Sequence, residues 1–291
     1  MINRTTKDTA KSLRTKLFNL SKKEQLNYQM LIIHYVHERL LYRLSVSRYK
    51  DKFYLKGGAL LYAAAHQHAR PTLDIDFMGD CINNDKECIR QAFSDICSIV
   101  CEADALTFDT SSIRVEEINE NHIYQGIRLS VTAFFDTIRQ PLYMDIGFGD
   151  VITPAPEEIA YPVLLSELPT VQILAYSLET VVAEKFQAMI ELAEANSRFK
   201  DFYDIYKILV YHQPDKKRLA EAVKATFSNR HTVYFEGHTL FTNTFMQDEE
   251  RQNGWKRFLK KIDQKEELPF ASVMEIIKQE LFPIWEQLKE E

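Results

Sequence analysis

The stretch between residues 53 and 77 constrains the fold most. It reads FYLKGGALLYAAAHQHARPTLDIDF, where a short apolar run precedes Gly57 and Gly58, an alanine-rich stretch follows, and a second apolar run carries Asp74 and Asp76. Short apolar runs favour strands, and an alanine-rich stretch that opens after glycines favours a helix. The sequence therefore predicts a strand–helix–strand unit in an α/β domain.

The two aspartates of the second strand are expected on one side of the sheet. Side chains at positions i and i+2 of a strand point the same way, so Asp74 and Asp76 project together. The apolar side chains between them are expected on the other side, at Leu73, Ile75 and Phe77. Two adjacent carboxylates repel each other unless a cation lies between them. The pair is therefore a candidate site for Mg²⁺ or Mn²⁺.

The Gly57–Gly58 turn is a candidate phosphate site. The first N–H groups of a helix have no partner within the helix and can bind an anion. Lys56, directly before the turn, adds a cation. A phosphate site beside paired carboxylates is typical of enzymes that transfer nucleotidyl or phosphoryl groups.

A third carboxylate is predicted in the segment LYMDIGFGD, residues 142–150. Tyr143, Asp145 and Gly147 would share one face of a strand, opposite three apolar side chains. An aspartate in an apolar strand is costly unless it is paired or bound to a metal. We therefore expect Asp145 to complete a metal-binding triad with Asp74 and Asp76 and to help take a proton from an attacking hydroxyl. Asp150 is interpreted as a turn residue or a helix cap.

Two charged residues are expected on apolar helix faces. Lys185 lies within an apolar stripe of the helix at 178–193, so its ammonium either reaches out to water or enters a polar pocket, where it would hold a phosphate. Asp201 falls between Ile205 and Ile208 on the next helix, where water is scarce. It is interpreted as a functional residue that positions Lys185 or binds the nucleotide.

Three further sites have open interpretations. Asp204 falls beside Lys200 and Lys207 on the helical wheel, which predicts a solvated ion pair. Arg70 would either neutralise the carboxylates or bind a phosphate through two hydrogen bonds. His66, His68 and His122 are interpreted as structural residues rather than as ligands or bases.

Hydrophobic periodicity places further elements around the central unit. We expect two helices within 10–48, a helix at 84–103 capped by Asn83 or Asn84, a hairpin of strands 105–118 and 122–136, and a strand at 142–148. A stretch marked by Pro154, Pro156, Pro162 and Pro169 would separate this α/β domain with a mixed sheet from an all-helical one. Helices are predicted there at 177–195, 198–212, 215–228 and 268–288, whereas 229–253 has no clear period.

The charge is distributed unevenly. Residues 1–23 contain seven Lys or Arg and one acid, a net charge of +6. Since the whole chain has a net charge of −6, the other 268 residues carry −12. This basic segment would bind RNA phosphates or an acidic protein, or would be a solvated helix face. The chain has no apolar run of about 20 residues and no apolar signal at its start, so we expect a cytoplasmic protein without a membrane span.

Four motifs, in this order, resemble the AbiEii nucleotidyltransferase toxins of type IV toxin–antitoxin, or abortive-infection, systems, within the DNA polymerase beta superfamily. They are SLRTKLFNLSKKE, YLKGGALLY with RPTLDIDF, YMDIGFGDVITP, and VVAEKFQAMIELAEANSRFKDFYDIY, and they span most of residues 10–210. The resemblance implies a helical segment at 1–50, a nucleotidyltransferase core at 51–170 and a helical domain at 171–291 that contributes to the active site.

The resemblance also implies site residues and partners. It implies roles for the Gly57–Gly58 turn, Asp74, Asp76, Asp145, Lys185 and the segment from Lys200 and Asp201 to Asp204. Taking the residues and the resemblance together, we expect catalytic roles for Asp74, Asp76, Asp145, Lys185 and Asp201, and nucleotide binding by Lys56, Gly57, Gly58, Arg70, Lys185 and Asp204. It implies an NTP substrate, a divalent metal, a tRNA acceptor end and a cognate antitoxin encoded in a neighbouring gene. The chain has Gly-Gly where superfamily members usually have Gly-Ser, so backbone N–H groups would replace the serine hydroxyl.

Two other functions fit the same fold. One is a nucleotide-binding regulatory module without catalysis, against which the three aligned aspartates argue. The other is a phosphotransferase that moves the γ-phosphate. Labelled NTP distinguishes them, because α-label marks the acceptor only in nucleotidyl transfer and γ-label marks it only in phosphotransfer.

Overall fold

A computed structural model describes residues 4–65, 69–80, 82–120 and 124–290. The chain divides into two compact units. The first comprises Met1–His66, Pro71–Gly149 and Glu157–Ala175, and the second comprises Gln67–Arg70, Asp150–Pro156 and Tyr176–Glu291. The expected boundary at residue 170 differs from this division, since the first unit continues to Ala175 and two short internal segments belong to the second.

The first unit combines four helices with seven strands in the described residues. The helices are α1 (Arg4–Lys23), α2 (Tyr28–Ser45), α3 (Gly57–Ala65) and α4 (Lys86–Cys97). The strands are β1 (Phe53–Lys56), β2 (Asp74–Gly79), β3 (Leu106–Glu120), β4 (Tyr124–Phe135), β5 (Ile138–Phe148), β6 (Glu157–Tyr161) and β7 (Val171–Ala175). The strand–helix–strand unit, the two N-terminal helices and the hairpin are confirmed.

The seven strands form one mixed sheet in the order β3-β4-β5-β2-β1-β7-β6. Strand β2 pairs with β5 in parallel and with β1 antiparallel, so it lies at the centre of the sheet. Its apolar residues Ile75 and Phe77 are fully buried on one side. Leu73 does not share that face, because it precedes the strand and is 59% exposed.

The proline-marked stretch contains two strands, β6 and β7, rather than only a separator between domains. Their antiparallel pairing runs from Glu157 opposite Ala175 to Tyr161 opposite Val171. The four prolines lie before β6 or between the two strands, where no ladder hydrogen bond is needed. They therefore mark strand ends in this sheet.

The second unit is helical in its described residues. It contains α5 (Leu178–Leu192), α6 (Phe199–Tyr211), α7 (Lys216–Asn229), α8 (Asn243–Gln247), α9 (Glu249–Lys261) and α10 (Phe270–Gln287). The four predicted helices of this region are confirmed. The stretch without a period contains the 3₁₀ turn Thr239–Phe241, the short α8 and the start of α9.

Two smaller corrections concern α4 and membrane spanning. The cap of α4 is Asp85 and neither Asn83 nor Asn84, because the Asp85 carboxylate accepts hydrogen bonds from the N–H groups of Glu87 and Cys88. Of the helices in the described part of the chain, none has the length and hydropathy needed to cross a bilayer.

Candidate active site

The carboxylates of β2 and β5 lie in one row across the sheet. Asp76 is the Cα partner of Asp145 on one side and of Lys56 on the other. Asp145 is in turn the partner of Arg128 on β4. Because cross-strand partners point to the same face, Lys56, Asp76, Asp145 and Arg128 form a carboxylate row in which two acids lie between two cations.

Asp74 belongs to the same face, two residues before Asp76. Its cross-strand partner on β5 is Tyr143. The opposite faces of both strands are apolar, and Met144 and Ile146 are fully buried. The sequence prediction that Asp74, Asp76 and Asp145 share one face is confirmed by the register.

The Gly57–Gly58 turn lies directly against Asp76. Gly57 has a φ of +64°, and a Cβ atom there would overlap the Asp76 carboxylate. The N–H of Gly58 donates a hydrogen bond to Asp76 Oδ2 at 3.3 Å. A Cβ at Gly58 would in turn meet the Thr72 hydroxyl. Glycine is therefore required at both positions, and the turn that was predicted to hold a phosphate also orients one of the carboxylates.

Arg128 binds the third carboxylate. Its Nε and Nη2 donate to the two oxygens of Asp145 at 2.8 and 2.6 Å. Within the described residues, no group of three or more His, Cys, Asp or Glu side chains is arranged to hold a metal ion. The expected convergence of three carboxylates on one cation is therefore not seen in this arrangement, in which an arginine neutralises Asp145. Sequence reasoning missed Arg128, because only the strand register shows which residue lies opposite Asp145.

A second charged cluster lies within the helical unit, around Lys185. The Lys185 ammonium is 2.7 Å from Asp201 Oδ1 and 2.9 Å from Asp204 Oδ2, and both aspartates are buried. Burial lowers the pKa of Lys185, but the two carboxylates outweigh this effect and hold its pKa above the ordinary value. Lys185 therefore enters a polar pocket rather than reaching out to water, and the pocket is lined by carboxylates.

Asp204 is not the solvated ion-pair residue that the helical wheel predicted. It is 3% exposed, and Arg70 Nε and Nη2 donate to its two oxygens at 3.0 and 3.1 Å. The wheel failed because α6 is covered on a second side, where Ile205 and Ile208 are also fully buried. Arg70 thus neutralises the carboxylate of Asp204 and not, as one of the two predictions had it, the carboxylates of the strands.

Asp201 lies where water is scarce, as predicted. Besides Lys185, it pairs with Arg198 at 2.7 Å. Burial raises the pKa of Asp201, but the positive charges of Lys185 and Arg198 lower it by more. The pKa of Asp201 therefore lies below its ordinary value. Arg198 directly precedes α6. It is the most exposed member of the Lys185 cluster, which comprises Arg70, Lys185, Arg198, Asp201 and Asp204.

Asp150 forms a distant ion pair rather than serving as a turn residue or cap. Its Oδ1 accepts a hydrogen bond from Arg230 Nη2 at 2.8 Å, and Arg230 Nη1 also donates to Gln187 at 2.9 Å. The partner lies eighty residues away in the chain, so no local pattern predicts it. His66, His68 and His122 lie outside the described residues.

Comparisons with known proteins agree with the fold. The model of a family described as nucleotidyl transferase AbiEii toxin, type IV TA system, matches residues 39–279. No curated protein sequence matches the chain.

Solved structures match most of the chain at low identity. MenT4, a nucleotidyltransferase toxin from Mycobacterium tuberculosis H37Rv, is 12% identical, with 94% of this chain and 98% of that chain covered and a TM-score of 0.57. JHP933 from Helicobacter pylori is 13% identical, with 91% and 95% covered and a TM-score of 0.52. At this identity the two structures show a shared fold, whereas the family match spans most of the sequence. The chain therefore belongs to the AbiEii nucleotidyl transferase toxin family of type IV toxin–antitoxin systems.

Proposed function

We propose that the protein transfers a nucleotide from an NTP to the 3′ end of a tRNA in a reaction that depends on a divalent metal. The observation that supports this most is the register of Asp76 with Asp145 on neighbouring parallel strands, beside the Gly57–Gly58 turn. As a toxin of this family it is paired with an antitoxin, which we propose is encoded in a neighbouring gene. We place the reaction in the cytoplasm, where NTP and tRNA are found.

The donor atoms fit a hard cation. Asp74, Asp76 and Asp145 offer carboxylate oxygens on one sheet face, which is the ligand chemistry of Mg²⁺ and Mn²⁺. Asp145 can bind the same cation as Asp74 and Asp76 only if its carboxylate releases Arg128. A bound cation would supply charge neutralisation for the triphosphate and polarise the α-phosphorus.

The reaction that we propose is an in-line displacement. The oxygen of the acceptor hydroxyl forms a bond to the α-phosphorus. The bond from that phosphorus to the oxygen that bridges the α- and β-phosphorus breaks, and pyrophosphate leaves. Asp145 is the residue that we propose accepts the hydroxyl proton, since it lies at the side of the row away from Gly57. Lys56 and the Gly57–Gly58 turn are proposed to bind the triphosphate.

The Lys185 cluster is proposed to contact the nucleotide through its cations. Its three cations and two carboxylates leave a net charge of +1, which favours an anion. We propose that Lys185 and Arg70 contact phosphate oxygens. Asp201 is fully buried, so we propose it as a positioning residue that holds Lys185 and Arg198, and Asp204 holds Lys185 and Arg70 in the same way.

The experiment is incubation of the purified protein with total RNA and each NTP, labelled at the α- or the γ-phosphate. We expect α-label, and no γ-label, in a tRNA-sized band in the presence of Mg²⁺. Asp76→Asn keeps the size of the side chain but removes its charge, and the band should disappear. Asp51→Asn, at an exposed turn, is the matched control. Transfer of γ-label would instead indicate phosphotransfer, and undiminished α-label in Asp76→Asn would refute the role of Asp76.

A further inference from the structure

Two large aromatic side chains are exposed on the sheet face that carries the carboxylates. Tyr143 on β5 is 47% exposed, and Phe134 on β4 is 41% exposed. Tyr143 is the Cα partner of Asp74, so it lies next to the proposed metal ligands. Aromatic side chains contribute most when they are covered, and a group of apolar side chains exposed together on one surface is a candidate binding site.

The strand register arranges these rings in a line. Tyr143 and Pro141 are alternate residues of β5 and share a face, about 7 Å apart along the strand. Pro141 is paired with Thr132 and Phe134 is two residues further along β4, on the same face. Pro141 is exposed as well. Phe134, Pro141 and Tyr143 therefore form an aromatic track that runs away from Asp74 across the sheet.

Two arginines flank the aromatic track. Arg114 on β3 is paired with Ser130, which is also the partner of Tyr143, and Arg139 is paired with Phe134. Both arginines are exposed, and among the described residues neither has an acidic partner within 4 Å. This places guanidinium groups beside the rings at both ends of the track.

The acids of this face are already engaged or lie beyond the track. Asp109 on β3 accepts a hydrogen bond from Ser111 Oγ. Glu116 is the cross-strand partner of Arg128, at the side of the carboxylate row. In the described part of the chain, the face around the aromatic track therefore combines rings, hydroxyl groups and guanidinium groups that have no acidic partner.

This combination fits single-stranded RNA. Unpaired bases stack on aromatic rings, and arginines bind the phosphates between them. A protein partner would instead be expected to need a wider apolar centre, whereas Ser130, the cross-strand partner of Tyr143, is polar and half-buried. Building on the proposed function, we infer that the aromatic track binds the single-stranded end of the acceptor RNA, with bases on Tyr143 and Phe134.

The test measures RNA binding directly. A fluorescein-labelled single-stranded RNA of about eight nucleotides, a typical length for one such surface, is titrated with the full chain without NTP or metal, and its anisotropy gives the Kd. The variants are Tyr143→Ala, Phe134→Ala and Tyr143→Phe. The chain offers matched controls: Tyr211→Ala replaces a tyrosine that is 50% exposed, and Phe235→Ala a phenylalanine that is 51% exposed, both in the second unit.

We expect each alanine variant on the track to raise the Kd at least about fivefold, the lower end of what base stacking contributes. Tyr143→Phe keeps the ring and should stay within about twofold of wild type. Both control variants should bind as wild type does. In the transfer assay, Phe134→Ala should raise the KM for RNA while leaving the KM for NTP unchanged. In Arg139→Gln, the slope of log K against log salt concentration should fall by the contribution of about one phosphate contact.

Three results would overturn the inference. The first is a wild-type protein that does not bind single-stranded RNA. The second is an unchanged Kd in both track variants, or an equal loss in the two controls. The third is unchanged RNA binding with an altered oligomeric state by light scattering, which would make the track a protein interface. Binding that is lost in the track variants, in a protein that labels no RNA, supports the track and refutes the proposed acceptor, so the two failures are distinguishable.

Discussion

At the scale of the residue, close contacts around Asp76 define the candidate site. Gly57 and Gly58 bring backbone to within hydrogen-bond distance of its carboxylate, and the register sets Asp145 beside it. The sequence predicted these residues because a strand alternates its side chains and a glycine pair permits a tight turn. It could not predict that Arg128 binds Asp145, since that contact depends on which strands are neighbours.

Gly57→Ala should abolish transfer activity and lower the free energy of unfolding by more than the strain of a left-handed alanine, about 1–2 kcal/mol, because the new methyl group would displace the Asp76 carboxylate. Gly237→Ala is the control, since Gly237 has a similar φ of +73° but open space around its Cβ position. Urea denaturation and the transfer assay measure both effects. Equal destabilisation of the two variants would contradict the close contact with Asp76.

Arg128→Gln should lower the Mg²⁺ concentration that gives half-maximal transfer. The reason is that Mg²⁺ then no longer competes with the Arg128 guanidinium for the Asp145 carboxylate. A Mg²⁺ titration of the initial rate measures this shift, with Arg48→Gln as a control, since Arg48 forms an exposed ion pair with Asp95 elsewhere in the unit. An unchanged or higher Mg²⁺ requirement would show that Arg128 does not compete with the metal.

At the scale of the element, hydrophobic periodicity predicted most helices and the hairpin, and it failed where an element is buried on two sides. Helix α6 is such a case, because Asp204 lies on a covered side that its own sequence cannot reveal. Short strands such as β6 and β7 were missed because a run of five residues carries little periodic signal. Helix α9 was not predicted, because its many charged residues leave few apolar positions to define a period.

Asp201→Asn should lower the free energy of unfolding by about 3–5 kcal/mol, since it removes one partner of a buried ion pair and leaves Lys185 and Arg198 poorly compensated. Glu280→Gln removes the partner of Lys216, which is exposed, and should cost less than about 1 kcal/mol. Denaturant titrations of both variants provide the comparison. A loss as small as that of Glu280→Gln would mean that the Lys185 cluster does not stabilise the fold.

Helix α2 should make the first unit sensitive to acid. Burial lowers the pKa of His34 to about 4, so the folded state binds fewer protons than the unfolded state, whose histidine titrates near 6.5. The contribution of His34 to the free energy of unfolding is therefore intact above pH 6.5 and is lost as the pH falls towards 4. At pH 4.5 the loss is on the order of 2 kcal/mol. The difference in unfolding free energy between pH 7.5 and 4.5 should shrink in His34→Gln. If variant and wild type show the same difference between the two pH values, that would contradict a neutral, partly buried His34.

At the scale of the whole molecule, the family and the α/β-plus-helical architecture could be predicted because four motifs occur in a fixed order over most of the chain. The division into units was harder to predict, since residues 67–70 and 150–156 belong to the second unit although the first surrounds them in sequence. Arg70 and Asp150 show why: their partners, Asp204 and Arg230, lie far along the chain.

The measurement that tests the central claim most directly is Mn²⁺ binding in the absence of NTP, followed by the loss of the free-ion electron paramagnetic resonance signal. We expect wild-type protein and Asp51→Asn to bind Mn²⁺ equally, and Asp76→Asn and Asp145→Asn to bind it at least about tenfold more weakly, because each loses a charged oxygen ligand. Equal Mn²⁺ affinity in all four proteins would contradict a metal site at the carboxylate row.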